Sequence, residues 1–432
     1  MKRRSFIKKA SIGTVAGLGL AAGAIRLSNP KSGNYSEYFA KLNTTLKNYE
    51  KAIPFLVVDL DLLDANLKAL KSILNPKAAF RVVVKSLPSP ELLNYVMASM
   101  NTKKLMAFHQ PFISDLAESG DTELDILVGK PMPVKTASFF YEHLQPNGFD
   151  ASKQIQWLID TEKRLNEYLL LAKTKNLKLL LNVEIDVGMH RGGFKDLEGI
   201  EKALTIIQNN PDHLTFGGFM GYDAHITKVP SLLLPVEKGL KIANDIYTAS
   251  KALVQNKFPK LWHENLTFNG AGSPTILLHQ NETPLNDISG GSLLVKPTDF
   301  DIKTLEAFVP ASFIATPVLK KEKNVNLPSI EGMNGTFKLL NPNTSNTFYI
   351  YGGSWMANPE SPKGIAYNSL FGKSTNQVMM NASDDTKLDV DDFVFFRPHQ
   401  SEFVFLQFGG ILGIRNGEIK EKWSVLQQNV VS

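Results

Sequence analysis

The sequence contains no cysteine. Disulfides, thiolate metal sites, iron–sulfur clusters, a cysteine nucleophile and a lipid-modified cysteine are thereby excluded. Beyond the N-terminal stretch it also has no apolar run of 18 residues, the length a membrane-spanning helix needs. A net excess of either charge is missing from the body of the chain. The 47 Lys and Arg outnumber the 42 Asp and Glu by five. Lys2, Arg3, Arg4, Lys8 and Lys9 account for that excess, and residues 1–24 hold no acid. A neutral body argues against a nucleic-acid surface. Internal repeats and low-complexity tracts are absent too. With 43% hydrophobic and 21% charged residues, the composition excludes a disordered, collagen-like or coiled-coil chain. What remains is a globular protein whose 432 residues suit about two or three domains.

Residues 1–9 read MKRRSFIKK, residues 10–25 are uncharged and rich in Ala and Gly, and Ala22-Gly23-Ala24 precedes Arg26. This is the order of a basic n-region, an apolar h-region and a small-residue cleavage site. Arg3-Arg4-Ser5-Phe6-Ile7-Lys8 resembles the twin-arginine (Tat) export motif, with Lys2 where Ser or Thr is often found. The resemblance implies a periplasmic or otherwise extracytoplasmic protein exported already folded, as suits one that collects a cofactor in the cytoplasm. No stable membrane span is expected once the signal is removed. An uncleaved anchor is the alternative. The lack of cysteine suits an oxidising compartment. Signal and linker are assigned to residues 1–28, with linker character continuing over 29–36.

A helix is expected over 37–50, an apolar run at Phe55-Leu56-Val57-Val58, and a helix over 62–74. From residue 79, short β-rich runs alternate with helical stretches such as 161–174, 196–208 and 236–255. The runs are Phe80–Val84, Leu105–Phe108, Ile126–Gly129, Ile155–Ile159, Leu179–Ile185, Thr215–Met220, Leu266–Asn269 and Ile288–Val295. Eightfold strand–helix alternation implies a parallel sheet closed into a (β/α)8 barrel, an open doubly wound sheet being the alternative. The runs are mostly continuous apolar, as strands buried on both faces should be. After about residue 300 the rhythm breaks. Runs at Ala311–Val318, Thr347–Tyr351, Phe393–Phe396, Phe403–Phe408 and Ile411–Ile414, separated by Asn, Pro, Gly and Ser clusters, predict a smaller antiparallel β-domain. The assignment is a barrel over 50–300 and a β-domain over 301–432, with the 55–61 strand open to either.

Barrel chemistry sits at the C-terminal ends of the strands. Lys85 follows three apolar strand residues there, Val82, Val83 and Val84. It is either a Schiff-base amine freed by partial desolvation or a lysine snorkelling at a strand end. Glu184, Asp186, His190 and Arg191 crowd one turn, and buried charges need partners. Tyr222 and His225, in Gly221-Tyr222-Asp223-Ala224-His225, can stack on or protonate a flat ligand, or simply pack the rim. Gly270-Ala271-Gly272-Ser273-Pro274-Thr275 and Ser289-Gly290-Gly291-Ser292 lie in the last two units, where barrels often hold a phosphate on backbone N–H groups and hydroxyls.

A flat ligand, a phosphate and a strand-end lysine describe pyridoxal 5′-phosphate (PLP). The chain resembles the alanine-racemase-like, fold-type III PLP enzymes, and within them the D-threonine aldolase / D-serine dehydratase group. The resemblance rests on Val57 to Leu67, Val84-Lys85-Ser86, the Glu184-Ile185-Asp186-Val187-Gly188-Met189-His190-Arg191 string with Gly192, and Gly221 to His225. It covers roughly residues 53–300. It implies a PLP barrel plus a β-domain, with Lys85 holding the cofactor, Arg191 contacting its ring and Tyr222 and His225 flanking it. Gly270, Gly272, Ser273, Gly291 and Ser292 fall at the phosphate. It further implies action on a small amino acid, foremost aldolase or dehydratase chemistry on a D-3-hydroxy amino acid. Lys85, Tyr222, His225 or His399 would be the proton carriers. A racemase and a non-catalytic PLP-binding protein are the alternatives, and a homodimer is compatible with the family. The chain departs from those relatives in two places. Val83-Val84-Lys85-Ser86-Leu87-Pro88 replaces a His-x-Lys-Thr-His-Lys string. Of the strings that hold a divalent metal, only His399, in Arg397-Pro398-His399-Gln400-Ser401-Glu402, remains as a candidate ligand.

Overall fold

A computed structural model describes residues 31–325, 341–369 and 371–427. The expected export signal, residues 1–28, lies outside the described residues. The chain divides into two compact units.

The larger unit comprises residues 59–311 with Gln400–Ile411 and the residues from Lys422 onward. Strand β1 (Phe55–Asp59) leads into it. Eight parallel strands then close a barrel: β2 (Ala79–Val83), β3 (Lys104–Ala107), β4 (Asp125–Val128), β5 (Ile155–Ile159), β6 (Leu179–Glu184), β7 (Leu214–Met220), β8 (Thr267–Gly270) and β9 (Asp287–Gly290). Closure is made by β2 against β9, with Ala79 beside Asp287 and Val82 beside Gly290. All five residues of β5 are buried, as the continuous apolar pattern requires. The intervening helices follow their sequence signals. In helix Leu197–Gln208 the Asp196 side chain accepts from the Gly199 N–H, and Ile200, Ala203, Leu204 and Ile207 form the buried stripe.

The run expected to continue to Val295 stops at Gly290. There the chain turns into a 3₁₀ segment, Ser292–Leu294. Gly291 permits this. A Cβ on it would stand 2.8 Å from Ser86 Cβ and 2.9 Å from the Val83 carbonyl.

Near the strand starts the barrel interior is ionic rather than apolar. Arg81 is fully buried. Its Nε lies 2.8 Å from Asp287 Oδ1, and its Nη2 lies 2.9 Å from both Asp287 Oδ2 and Asp125 Oδ2. Lys104 Nζ adds contacts of 2.7 Å to Asp125 and 3.3 Å to Asp287. Burial alone would lower the guanidinium's proton affinity, but the two carboxylates raise it well above the ordinary value. Amides extend this layer. Gln156 donates to Asp125 and Thr267, Asn182 donates to Gln156, and Asn269 donates to Asp287 and Ser289.

The second unit comprises residues 31–58, Ser312–His399 and Leu412–Glu421. Its strands are β1, β10 (Ser312–Lys323), β11 (Asn346–Tyr351), β12 (Ala357–Ser361), β13 (Ala366–Tyr367), β14 (Gln377–Ala382), β15 (Phe393–Pro398), β16 (Gly410–Arg415) and β17 (Glu418–Ser424). The order is β13-β14-β11-β10-β1-β16-β17, with β15 joined to β10 and β12. β1 pairs antiparallel with β10, Phe55 opposite Ala315. Helix Glu37–Lys47 buries Leu42 and Leu46 against Phe55, Phe393, Phe395 and Ile414.

The strand expected at Phe403–Phe408 is instead a short helix, Ser401–Phe405, and it belongs to the barrel unit. Its buried residues are Ser401, Val404 and Phe405, at positions i, i+3 and i+4, while Phe403 is exposed. That spacing is helical despite the β-rich composition. Among the described residues no helix is long and apolar enough to cross a membrane.

Candidate active site

β2 ends at Val83, and a 3₁₀ turn, Val84–Ser86, follows it at the C-terminal mouth of the barrel. Lys85 stands on this turn and lines a cleft of about 610 Å³ together with Ser86, Arg191, Tyr222, Ser273 and Ser292. Its Nζ lies 4.6 Å from the centroid of the Phe108 ring and 3.1 Å from Glu402 Oε1. A wider outer chamber of about 930 Å³ shares Lys85, Arg191 and Glu402 and adds His109, Lys130 and Glu184.

Two loops form one wall of the inner cleft. The loop after β8 carries Gly272 and Ser273, and the loop after β9 carries Gly291 and Ser292. Ser273 Oγ accepts from the Gly291 N–H at 3.4 Å and the Leu293 N–H at 3.2 Å, stitching the loops together. Its own proton is thereby left to donate. Ser292 Oγ reaches Ser86 Oγ at 3.0 Å, and Ser86 donates to Glu402 at 3.4 Å. Gly272 lets the loop meet an aromatic ring, since a Cβ there would lie 2.7 Å from Tyr222 Cε2. The Arg191 guanidinium carbon sits 4.8 Å from the Tyr222 ring centroid. Burial raises the Tyr222 phenol's pKa, with Arg191 acting against the shift, so the hydroxyl keeps its proton.

A buried network braces both sides of this wall. Asp223, next to Tyr222, accepts from Thr275 Oγ1 at 2.6 Å and from His279 Nε2 at 2.7 Å. His279 is 1% exposed and Asp223 3%. In the outer chamber Glu184 is 9% exposed. Burial, with the Asp160 charge adding to it, pushes its carboxyl up to about 7, while Arg191 opposes. Burial and then the Lys85 charge lower the Lys130 ammonium's pKa.

Lys85, Arg191, Tyr222, Gly272, Ser273, Gly291 and Ser292 thus share one cleft. Three of the residues that the resemblance placed at the cofactor or at a metal stand apart from it. His225 opens a short helix, His225–Lys228, and points its Nε2 to within 3.0 Å of where a Cβ on Gly188 would be. Its Nδ1 is buried with no hydrogen-bond partner among the described residues, and burial lowers its pKa. Gly270 backs onto Leu285 and Tyr247. His399 belongs to the sheet unit, where its Nε2 bonds Asn358 Oδ1 at 2.9 Å. No group of three or more His, Cys, Asp or Glu side chains able to hold a metal occurs among the described residues. The donor set around His399 does not fit a divalent ion. Glu402, Asp223 and Thr275 stand inside motifs quoted from the sequence but carry no role there, and His279 stands in none, because each is an ordinary residue until the fold supplies its partner.

Residues 58–297, more than half of the chain, match the family described as alanine racemase, N-terminal domain. The chain belongs to this family. Solved structures of similar fold cover nearly all of their own length. D-threonine aldolase from Filomicrobium marinum is 17% identical, with a TM-score of 0.64 over 88% of this chain and 98% of that one. D-threo-3-hydroxyaspartate dehydratase from Delftia sp. HT23 is 12% identical, with a TM-score of 0.67 over 89% and 99%. Alanine racemase from Clostridium difficile 630 is 16% identical, with a TM-score of 0.64 over 87% and 99%. No curated protein matches in sequence. At these identities the likeness establishes the family's fold, a barrel joined to an antiparallel sheet unit, and leaves the reaction to be argued from the residues.

Proposed function

We propose that this family member is a PLP-dependent enzyme acting on a small amino acid, with aldolase or dehydratase chemistry on a D-3-hydroxy amino acid as its reaction. One observation carries the reading. A lysine amine, an aromatic ring under a guanidinium and two glycine–serine loops open into a single cleft. The residues fit the cofactor. Gly272 and Gly291 leave backbone exposed where a Cβ would collide, Ser273 has a proton to give a phosphate, and Tyr222 offers a ring face. Lys85 would hold the cofactor through its amine, Arg191 and Tyr222 would contact its ring, and Ser273 and Ser292 its phosphate. When bound, PLP supplies an electron sink conjugated with the substrate's α-carbon.

The remaining work falls to this chain's own groups. Lys85, as a free amine, accepts or returns a proton near the α-carbon. Tyr222, held protonated by burial, donates rather than accepts. Glu184, near neutrality, holds or releases a proton in the outer chamber. Metal chemistry is not invoked, because the donor set does not fit an ion. An amino-acid racemase is the second reading, favoured by an amine and a phenol that line one cleft and could serve the two sides of an α-carbon.

The test is the visible spectrum of the purified protein before and after D- and L-amino acids, with borohydride labelling of Lys85. A coloured protein whose band moves with D-threonine or D-serine is expected. A band that moves instead with either enantiomer of alanine points to the racemase. A colourless protein that borohydride cannot label at Lys85 after PLP addition overturns the proposal.

A further inference from the structure

Among the described residues the carboxylate paired with Lys85 belongs to Glu402, three residues after His399. Glu402 Oε1 lies 3.1 Å from Lys85 Nζ. The same oxygen accepts from Ser86 Oγ at 3.4 Å, and Ser86 in turn accepts from Ser292 Oγ at 3.0 Å. One carboxylate oxygen therefore serves the amine and terminates a hydroxyl chain running back to the loop after β9. Glu402 lines both the inner cleft and the outer chamber. It faces the site and the route to solvent at once.

The carrier of this carboxylate is firmly held. Helix Ser401–Phe405 buries Ser401, Val404 and Phe405, and Gln400 just before it bonds Asp299 at 3.0 Å. Both Glu402 and Lys85 belong to the barrel unit. The Glu402 charge also acts on His109, in the outer chamber, and on Tyr222, in the inner cleft.

Among the described residues Glu402 is the carboxylate within ion-pair distance of Lys85 Nζ, and His109 shares only the outer chamber with it. Tyr222 keeps its proton. His225 and His399 do not line the cleft. Lys130 carries the same charge as Lys85. Glu184 belongs to the outer chamber, with Asp160 and Arg191 as its electrostatic neighbours.

We propose that Glu402 is a catalytic residue, the proton acceptor and donor of Lys85. In the forward step an N–H bond of the Lys85 ammonium breaks and an O–H bond forms at Glu402 Oε1. The electron pair stays on nitrogen as the lone pair of a free amine. The reverse step returns the proton. Atoms and charge balance within the pair, and no co-reactant is needed. The proposal rests on Lys85 being the cofactor-binding amine. It goes beyond that reading by naming the group that takes and returns the amine's proton.

The experiment measures the rate at which Lys85 captures PLP, trapped by borohydride at intervals and read by peptide mass spectrometry, in wild type, Glu402→Gln and Glu402→Asp. The near-ultraviolet circular dichroism of each variant checks its fold. Loss of general acid–base assistance should slow capture in Glu402→Gln by about 100-fold, the low end of its usual contribution, with Glu402→Asp recovering much of the rate. A carboxylate that merely pins the ammonium would give the opposite sign, because its removal frees the amine and speeds capture. Faster or equal capture in a folded Glu402→Gln overturns this inference and leaves the PLP reading standing. A wild-type protein that captures no PLP at Lys85 overturns both. If Glu402→Gln does not fold, Glu402→Asp decides, since its shorter side chain must slow capture without abolishing it.

Discussion

Replacing Glu184 by Gln should change how stability depends on pH, and the size of the change follows from the site. The carboxyl ends β6 at 9% exposure. Burial raises its pKa first and the neighbouring Asp160 next, from 4.5 to about 7. At about 1.4 kcal/mol per pH unit, that difference is worth about 3 kcal/mol. The sign is set by which state binds the proton more tightly, here the folded one. The contribution is therefore complete below 4.5 and lost as the pH climbs through about 7. Glutamine keeps the shape and cannot titrate. The stability of wild type relative to Glu184→Gln should thus fall by up to about 3 kcal/mol between about pH 5 and about pH 8. Urea unfolding of both proteins across that range, at constant ionic strength, measures it, and titrations common to both cancel in the difference. A difference that stays flat, or one that grows toward high pH, would refute the assignment of a buried, proton-holding Glu184. Asp160→Asn should lower the pH at which the change occurs.

Three further outcomes are expected. Arg81→Met should cost about 3–5 kcal/mol in urea unfolding, because it leaves Asp287 and Asp125 in the barrel interior without their main counter-ion; a neutral effect would mean the carboxylates are already protonated. Gly272→Ala puts a Cβ 2.7 Å from the Tyr222 ring, and overpacking of about 1–3 kcal/mol should weaken PLP binding by roughly tenfold in a fluorescence titration, with unchanged affinity counting against the cradle. Thr275→Val removes the hydroxyl from buried Asp223 and should cost about 1–3 kcal/mol, while Thr275→Ser, which keeps the donor, should sit close to wild type in thermal melts.

The barrel was legible because its strands are buried on both faces and so carry mostly apolar runs, alternating with helical stretches. The sheet unit was harder to read. β17 is polar along most of its length and buries little beyond Trp423, so nothing in its composition marks a strand. The helix Ser401–Phe405 reads as β-type by composition, and only its i, i+3, i+4 burial reveals it. The same physics divides the site. Lys85 and the glycine–serine loops announce themselves by position on the barrel pattern. Glu402 meets the Lys85 turn from 316 residues beyond Ser86. Asp223 meets His279 across 56 residues. No local pattern encodes such distances. His225 stands three residues after Tyr222 in the same string, but its imidazole packs beside Gly188 and does not line the cleft.

The ion cluster inside the barrel has a consequence in time. Arg81 and Asp287 lie 206 residues apart in the chain, on the first and last strands of the barrel. At about 5–20 residues per second of synthesis, roughly 10–40 s separate the making of the guanidinium from the making of its second carboxylate. Throughout that interval the growing polypeptide carries an arginine and Asp125 that cannot be sealed away from water, so the half-made barrel must keep that end wet. Emergence of β9 then removes the vacancy in the ring and dehydrates the cluster in one event. The last strand is in this sense a latch, and the nascent chain has no route to a dry, closed barrel before it arrives.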